Sequence, residues 1–141
     1  VRANTTGRNV TLSLFDDDPF FRSKVSPSPV EVAIAGLIWR HAGWKNPIRI
    51  SEIYRLSGIP GLNARRIKKV VEQLRLIHHV PIGARREFPA GYYRIADEED
   101  VERAIGAYRS QIFTMLRVMR ACMPKSRCRE FFGQLRLAWE E

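Results

Sequence analysis

GIPGLNARRIKKVVEQL at residues 58–74, followed by VPIGARREFPAGYY at residues 80–93, reads as an apolar-striped basic helix running into an arginine-bearing hairpin. Between Gly61 and His78 the apolar positions Ala64, Ile67, Val71 and Leu74, with Val70 and Ile77 beside them, recur at steps of three and four, so one stripe faces a core. Arg65, Lys69 and Leu76 then point away from that stripe, with Arg66 and Lys68 flanking the outer face. All four cations fall in the first two turns, where a helix entering a groove by its N-terminus meets phosphates and base edges.

The flanks fit the same reading. A short helix over Ser51 to Ser57, with Ser51 as its N-cap, has to stop and reverse at Gly58, a residue that tolerates the left-handed conformation such stops require. Ile53, Leu56, Ile59, Ala64 and Ile67 supply the apolar skeleton that locks two helices at a fixed angle, and Pro60 and Gly61 suit a turn between them. Downstream, Val80 to Gly83 and Tyr92 to Ile95 are strand-like runs joined by the loop ARREFPAG. Tyr92 and Tyr93 project to opposite faces, one onto the core and the other at least partly into solvent. Arg85 and Arg86 sit near the hairpin tip, within reach of a groove or of phosphates.

Charge is concentrated in the same region. The chain carries a net charge of +9. Residues 48–94 hold 10 Lys and Arg against 3 acids, residues 1–47 hold 6 against 4, and residues 95–141 hold 8 against 8. Clustered cations favour a polyanionic partner, because neutralising phosphates releases counterions. At 141 residues and 45% hydrophobic content, the chain can bury one core but hardly two. No apolar run is long enough to span a bilayer, and the N-terminus lacks the apolar segment of a secretory signal, which leads to the expectation of a cytoplasmic, nucleoid-associated protein with no membrane contact.

The remaining segments complete the architecture. Residues 1–27 read as a flexible arm in which VTLSLF alternates like a strand and DDDPFF and SKVSPSPV break any period. Ser28 caps a helix from Pro29 to about Ala42, apolar at Val32, Ile34, Ala35, Leu37, Ile38 and Trp39 and ended by Gly43. Pro47 to Ile50 is a short strand that joins the hairpin in a small sheet. The order helix, strand, helix, helix, strand, strand over residues 28–96 is that of a winged helix. Asp97 caps a long helix, residues 97–123, whose Val101, Ile105, Tyr108, Ile112, Met115, Met119 and Cys122 form a heptad seam. That seam packs either on its own domain or on a second copy of the chain. Residues 124–141 form an amphipathic helix with Phe131, Phe132, Leu135 and Trp139 near one face, suited to the chain's own core, a second subunit or another protein. The expected class is therefore mainly α with a small antiparallel β hairpin: a winged helix-turn-helix, a long C-terminal helix and a terminal amphipathic helix.

On these residues a resemblance can be stated. SGIPGLNARRIKKVVEQL followed by VPIGARR and GYYRI is similar to the small winged helix-turn-helix proteins of bacteriophages, prophages and other mobile elements of bacteria. More distantly, the Pro-Ile-Gly and Gly-Tyr-Tyr hairpin resembles the wing of biotin-ligase repressor DNA-binding domains. The resemblance covers about residues 30 to 120. It implies binding to double-stranded DNA, in phage regulation or replication, through Arg65, Arg66, Lys69, Arg85 and Arg86. The REFPA loop is longer than the compact serine-rich or glycine-rich wing loop of that family. Asn63 and Lys68 join the candidate DNA-binding residues, with an Arg suited to guanine and Asn63 to adenine.

Enzymatic chemistry is not expected. Asp16, Asp17 and Asp18 stand before a proline as a solvated turn does, with no histidine or distant acid to complete a metal set. His78 and His79 are adjacent, not at the spacing that puts two ligands on one helical face, and Cys122 and Cys128 are expected as free thiols. No phosphate-binding glycine loop or nucleophile elbow appears, and no cofactor is implied. Two functions of different kinds stay open: a reader of duplex DNA, or a winged-helix interaction module that docks a larger protein through its C-terminal helices.

Overall fold

The computed structural model describes residues 18–140. It is mainly helical with one two-stranded antiparallel sheet, in the expected order: α1 (Pro29–Trp39), α2 (Ile50–Ser57), α3 (Ala64–Leu76), β1 (Ile82–Arg85), β2 (Gly91–Arg94), α4 (Glu98–Cys122) and α5 (Lys125–Glu140). The chain divides into two compact units, Val1–Ala104 and Ile105–Glu141, so the boundary falls inside α4.

In the first unit α1, α2 and α3 pack on one another around Ile34, Ala35, Ile38, Ile48, Ile53, Ile67, Val71 and Leu74, all nearly or fully buried. α1 starts where a capping box can form: Ser28 Oγ accepts from the Glu31 N–H at 3.2 Å and Glu31 Oε1 accepts from the Ser28 N–H at 2.7 Å. The helix stops at Trp39, earlier than Gly43, because His41 and Gly43 are drawn off to β2. The Arg94 N–H donates to His41 O at 2.7 Å and the Gly43 N–H donates to Arg94 O at 2.9 Å. Gly43, with φ 91°, serves that turn instead.

The expected strand over Pro47–Ile50 shrinks to a single bridge, in which Ile48 and Tyr92 exchange both backbone hydrogen bonds at 2.8 and 3.0 Å. The chain turns into α2 immediately afterwards. Ser51 is therefore inside that helix and Arg49 is its N-cap residue, with its N–H donating to Glu52 Oε1 at 3.3 Å. Gly58 ends α2 in the left-handed region, at φ 66°.

The hairpin strands lie two residues later and one residue earlier than the alternation suggests, in the register Ile82↔Arg94, Gly83↔Tyr93, Ala84↔Tyr92 and Arg85↔Gly91. Val80 cannot open the ladder, because its N–H closes the end of α3 on Leu74 O at 2.9 Å. Tyr93 is fully buried and Tyr92 half-buried against the core, as the alternation requires. Gly91 has no room for a side chain: a β-carbon there would stand 2.2 Å from Ile48 O.

The last residues of the expected arm pack on the first unit. Residues 1–17, with the VTLSLF run and Asp16 and Asp17, lie outside the described residues, but Phe20 packs on the core and meets His78 edge-on at 5.4 Å. Ser23 Oγ lies 2.7 Å from His78 Nδ1. On its other side His78 Nε2 is 3.2 Å from Glu31 Oε2. Burial alone would raise the Glu31 carboxyl, but the Ser28 N–H and hydroxyl, together with His78, outweigh it and hold the group below the usual carboxylate range.

α4 begins as expected, with Asp97 Oδ1 accepting from the Asp100 N–H at 2.8 Å. Asp100 itself is buried, and its carboxylate accepts from the Trp44 N–H at 3.1 Å and the Ala96 N–H at 3.0 Å, which binds the start of the helix to the turn after α1. The heptad positions Ile105, Tyr108, Ile112 and Met115 are between 40% and 55% exposed, and no residue of α5 is buried.

Candidate nucleic-acid interface

Helix α3 presents its expected cations. Arg65, Arg66, Lys68 and Lys69 are all exposed, and among the described residues none is ion-paired, so their charge is available to a ligand. The opposite face buries Ile67, Val70, Val71 and Leu74, which fixes the helix by its apolar stripe and leaves the basic stripe outward. Two stripe positions behave differently. Ala64 is exposed, because it is the first helical residue and stands clear of α2; Leu62, in the turn, is buried in its place. Ile77 is 46% exposed, because the helix ends at Leu76 and the following turn points His78 inward.

Asn63 is the N-cap of α3, and its Oδ1 accepts from the Arg66 N–H at 2.9 Å. That role competes with the bidentate adenine contact, which needs the same oxygen together with the amide nitrogen. Asn63 thus positions the cations, with only its NH2 group fully free to donate.

The two wing arginines separate. Arg86 is exposed near the tip. Arg85 folds back: its guanidinium lies 4.7 Å from the Trp44 ring centroid, Nη1 donates to Trp44 O at 3.0 Å and Nη2 donates to Phe88 O at 3.2 Å. It braces the loop from inside the first unit, because the strand reaches two residues further than expected and takes Arg85 into the ladder.

Four residues outside the expected set lie on or brace this surface. Arg75, in the last turn of α3, donates from Nε to Ile82 O at 3.0 Å and lies 5.9 Å from the Tyr92 ring centroid, tying the helix to the first wing strand. Its position six residues beyond Lys69 on the same basic helix was the available signal. Phe88 is 84% exposed at the wing tip, beside Arg86, where an apolar side chain can reach a groove or a base step. Tyr54 and Arg55 are exposed on α2, the helix that precedes α3.

The described residues contain no group of three or more His, Cys, Asp or Glu able to hold a metal ion, and both cysteines are free. No described helix is long and apolar enough to cross a membrane. No family model matches the chain, and neither does a curated protein or a solved structure.

Proposed function

We propose that the protein binds double-stranded DNA, with the N-terminal half of α3 in the major groove and the wing, through Arg86 and Phe88, on the adjacent groove or phosphates. The observation that carries this reading is the set of four exposed, unpaired cations on the first two turns of the second helix of a helix-turn-helix. The excess of 10 Lys and Arg over 3 acids in residues 48–94 supports it. A role in regulation or replication of a bacteriophage or mobile element rests on the resemblance alone, which covers about residues 30 to 120. If the seam on α4 pairs two copies, the DNA site contains two related half-sites.

Selection from randomised duplex DNA at physiological salt tests the reading, since non-specific phosphate binding is weak there. An enriched motif is expected. Replacing Arg65 and Lys69 with Ala should then weaken binding to that motif by roughly 10- to 100-fold, while Arg85→Ala acts mainly on stability. No enrichment, or unchanged binding by the double variant, would overturn it.

A further inference from the structure

The second unit has a charge pattern that the even balance of residues 95–141 conceals. Five of the acids in that stretch lie at residues 97–102, so residues 105–141 hold seven Lys and Arg against three acids, and two of those three are Glu140 and Glu141. This basic unit carries a cleft of about 650 Å³ between the last turns of α4 and the first turns of α5, where Pro124 breaks the helix.

Its apolar lining is Phe113, Leu116, Met123 and Phe132, with Cys128 beside them. Phe113 and Phe132 are 54% and 45% exposed, far from the burial expected of aromatics with a settled place in a core. The rim is Arg117, Arg120, Lys125 and Arg129, and no acid lines the cleft. Among the described residues none of these four is ion-paired; Arg117 donates only to Thr114 Oγ1, at 3.3 Å. An apolar floor under four uncompensated cations is complementary to a ligand that is apolar on the inside and acidic on the outside.

We infer that this cleft docks an acidic amphipathic segment of another protein, with two or three apolar side chains on Phe113, Leu116 and Phe132 and carboxylates on the arginine rim. A second copy of the chain is disfavoured there, because its own basic unit would bring like charge against like. Single-stranded nucleic acid would satisfy the rim and could stack on the two phenylalanines, but it gains little from Leu116, Met123 and Cys128. The inference is independent of DNA binding by α3.

Selection of displayed random 16-residue peptides on the full-length protein, with counter-selection on Arg117→Glu/Arg129→Glu, tests it. The expected consensus places Leu or Phe at helical spacing among Asp and Glu. The synthetic consensus peptide should bind at least tenfold more weakly to the double variant, and a version with Lys in place of its acids should regain binding to that variant. Arg65→Ala/Lys69→Ala should leave the peptide affinity unchanged while weakening DNA binding, so the two readings fail separately. A consensus without acids, equal binding to the double variant, or displacement of the peptide by a single-stranded oligonucleotide but not by excess acidic peptide would overturn the proposal. Circular dichroism of the double variant, whose changed side chains are exposed, establishes that it is folded.

Discussion

Tyr93 and Gly83 face each other across the hairpin, and the tyrosine ring lies where a side chain on the glycine would stand: a β-carbon there would come within 2.2 Å of Tyr93 Cζ. The ring is fully buried and meets Trp44 edge-on at 5.9 Å, so it has nowhere to retreat. Gly83→Ala should therefore cost about 1–3 kcal/mol in chemical denaturation, the usual range for overpacking a well-filled site. Tyr93→Phe should behave oppositely. The hydroxyl is buried with no hydrogen-bond partner among the described residues, so its removal leaves stability unchanged or raises it by about 1 kcal/mol. Burial, and next the charge of Asp100, raise the Tyr93 phenol above its ordinary 10.0. With the folded value the higher one, the unfolded chain ionises first, so the protein loses no stability to this group below pH 10 and loses it as pH rises through the folded value. Tyr93→Phe should flatten that alkaline limb; an unchanged limb would show that the ring's burial is not what sets it. Neither contact was legible from the residues alone. Alternation put the two tyrosines on opposite faces, but the partner of Tyr93 depended on a strand register that the end of α3 decides.

Among elements, the joint between α1 and the end of α3 is electrostatic as well as apolar. Glu31 caps its own helix with one carboxylate oxygen and holds His78 with the other, while Ser23 approaches the second ring nitrogen of His78. Since the Glu31 carboxyl is held below its ordinary value, its contribution is present above the unfolded value of about 4.5 and is lost as pH falls through the folded one. A Glu31→Gln variant should accordingly unfold at lower denaturant concentration than the parent at pH 7, and the difference should shrink as both are titrated toward pH 3. A constant gap across that range would mean the residue acts by packing alone. The cap at Ser28 was readable, because Ser-Pro-Val-Glu places an acceptor and a glutamate at capping-box spacing. The second duty of Glu31 was not, because it needs His78 on the inside of a turn where periodicity put Ile77. α1, α3 and the order of the two strands were legible from spacing, whereas Arg49 in place of Ser51 as the N-cap of α2 was not: the bridge at Ile48 brings the cap forward by two residues. On the candidate interface the four cations of α3 could be found from their place opposite the stripe. The inward turn of Arg85 could not, since it follows from Trp44, distant in sequence.

For the whole molecule, the distribution of burial separates folding from assembly. Every residue of the main hydrophobic cluster lies between Ile34 and Ile82, and Asp100 ties the first turn of α4 to the same unit. Past Ala104 no described residue is buried, although Ile112, Phe113, Met115, Val118, Leu137 and Trp139 are each more than half exposed. A chain ending at Tyr108 should therefore keep its thermal midpoint within about 5 °C of the full-length protein, a shift equivalent to roughly 1 kcal/mol for a domain of this size. Its mass in solution decides what the distal helices do. If the seam of Ile105, Ile112, Met115 and Met119 joins two copies, light scattering should show a dimer for the full chain and a monomer for the shortened one. The shortened chain should then keep its affinity for a single half-site and lose the additional affinity for a paired site, because linking two readers makes the second contact intramolecular. If both chains are monomers with the same DNA affinity, the seam does not pair copies, and the exposed apolar surface of the second unit is left to a partner such as the acidic segment inferred for its cleft. A drop of much more than 5 °C would instead show that the distal part of α4 supports the winged domain itself.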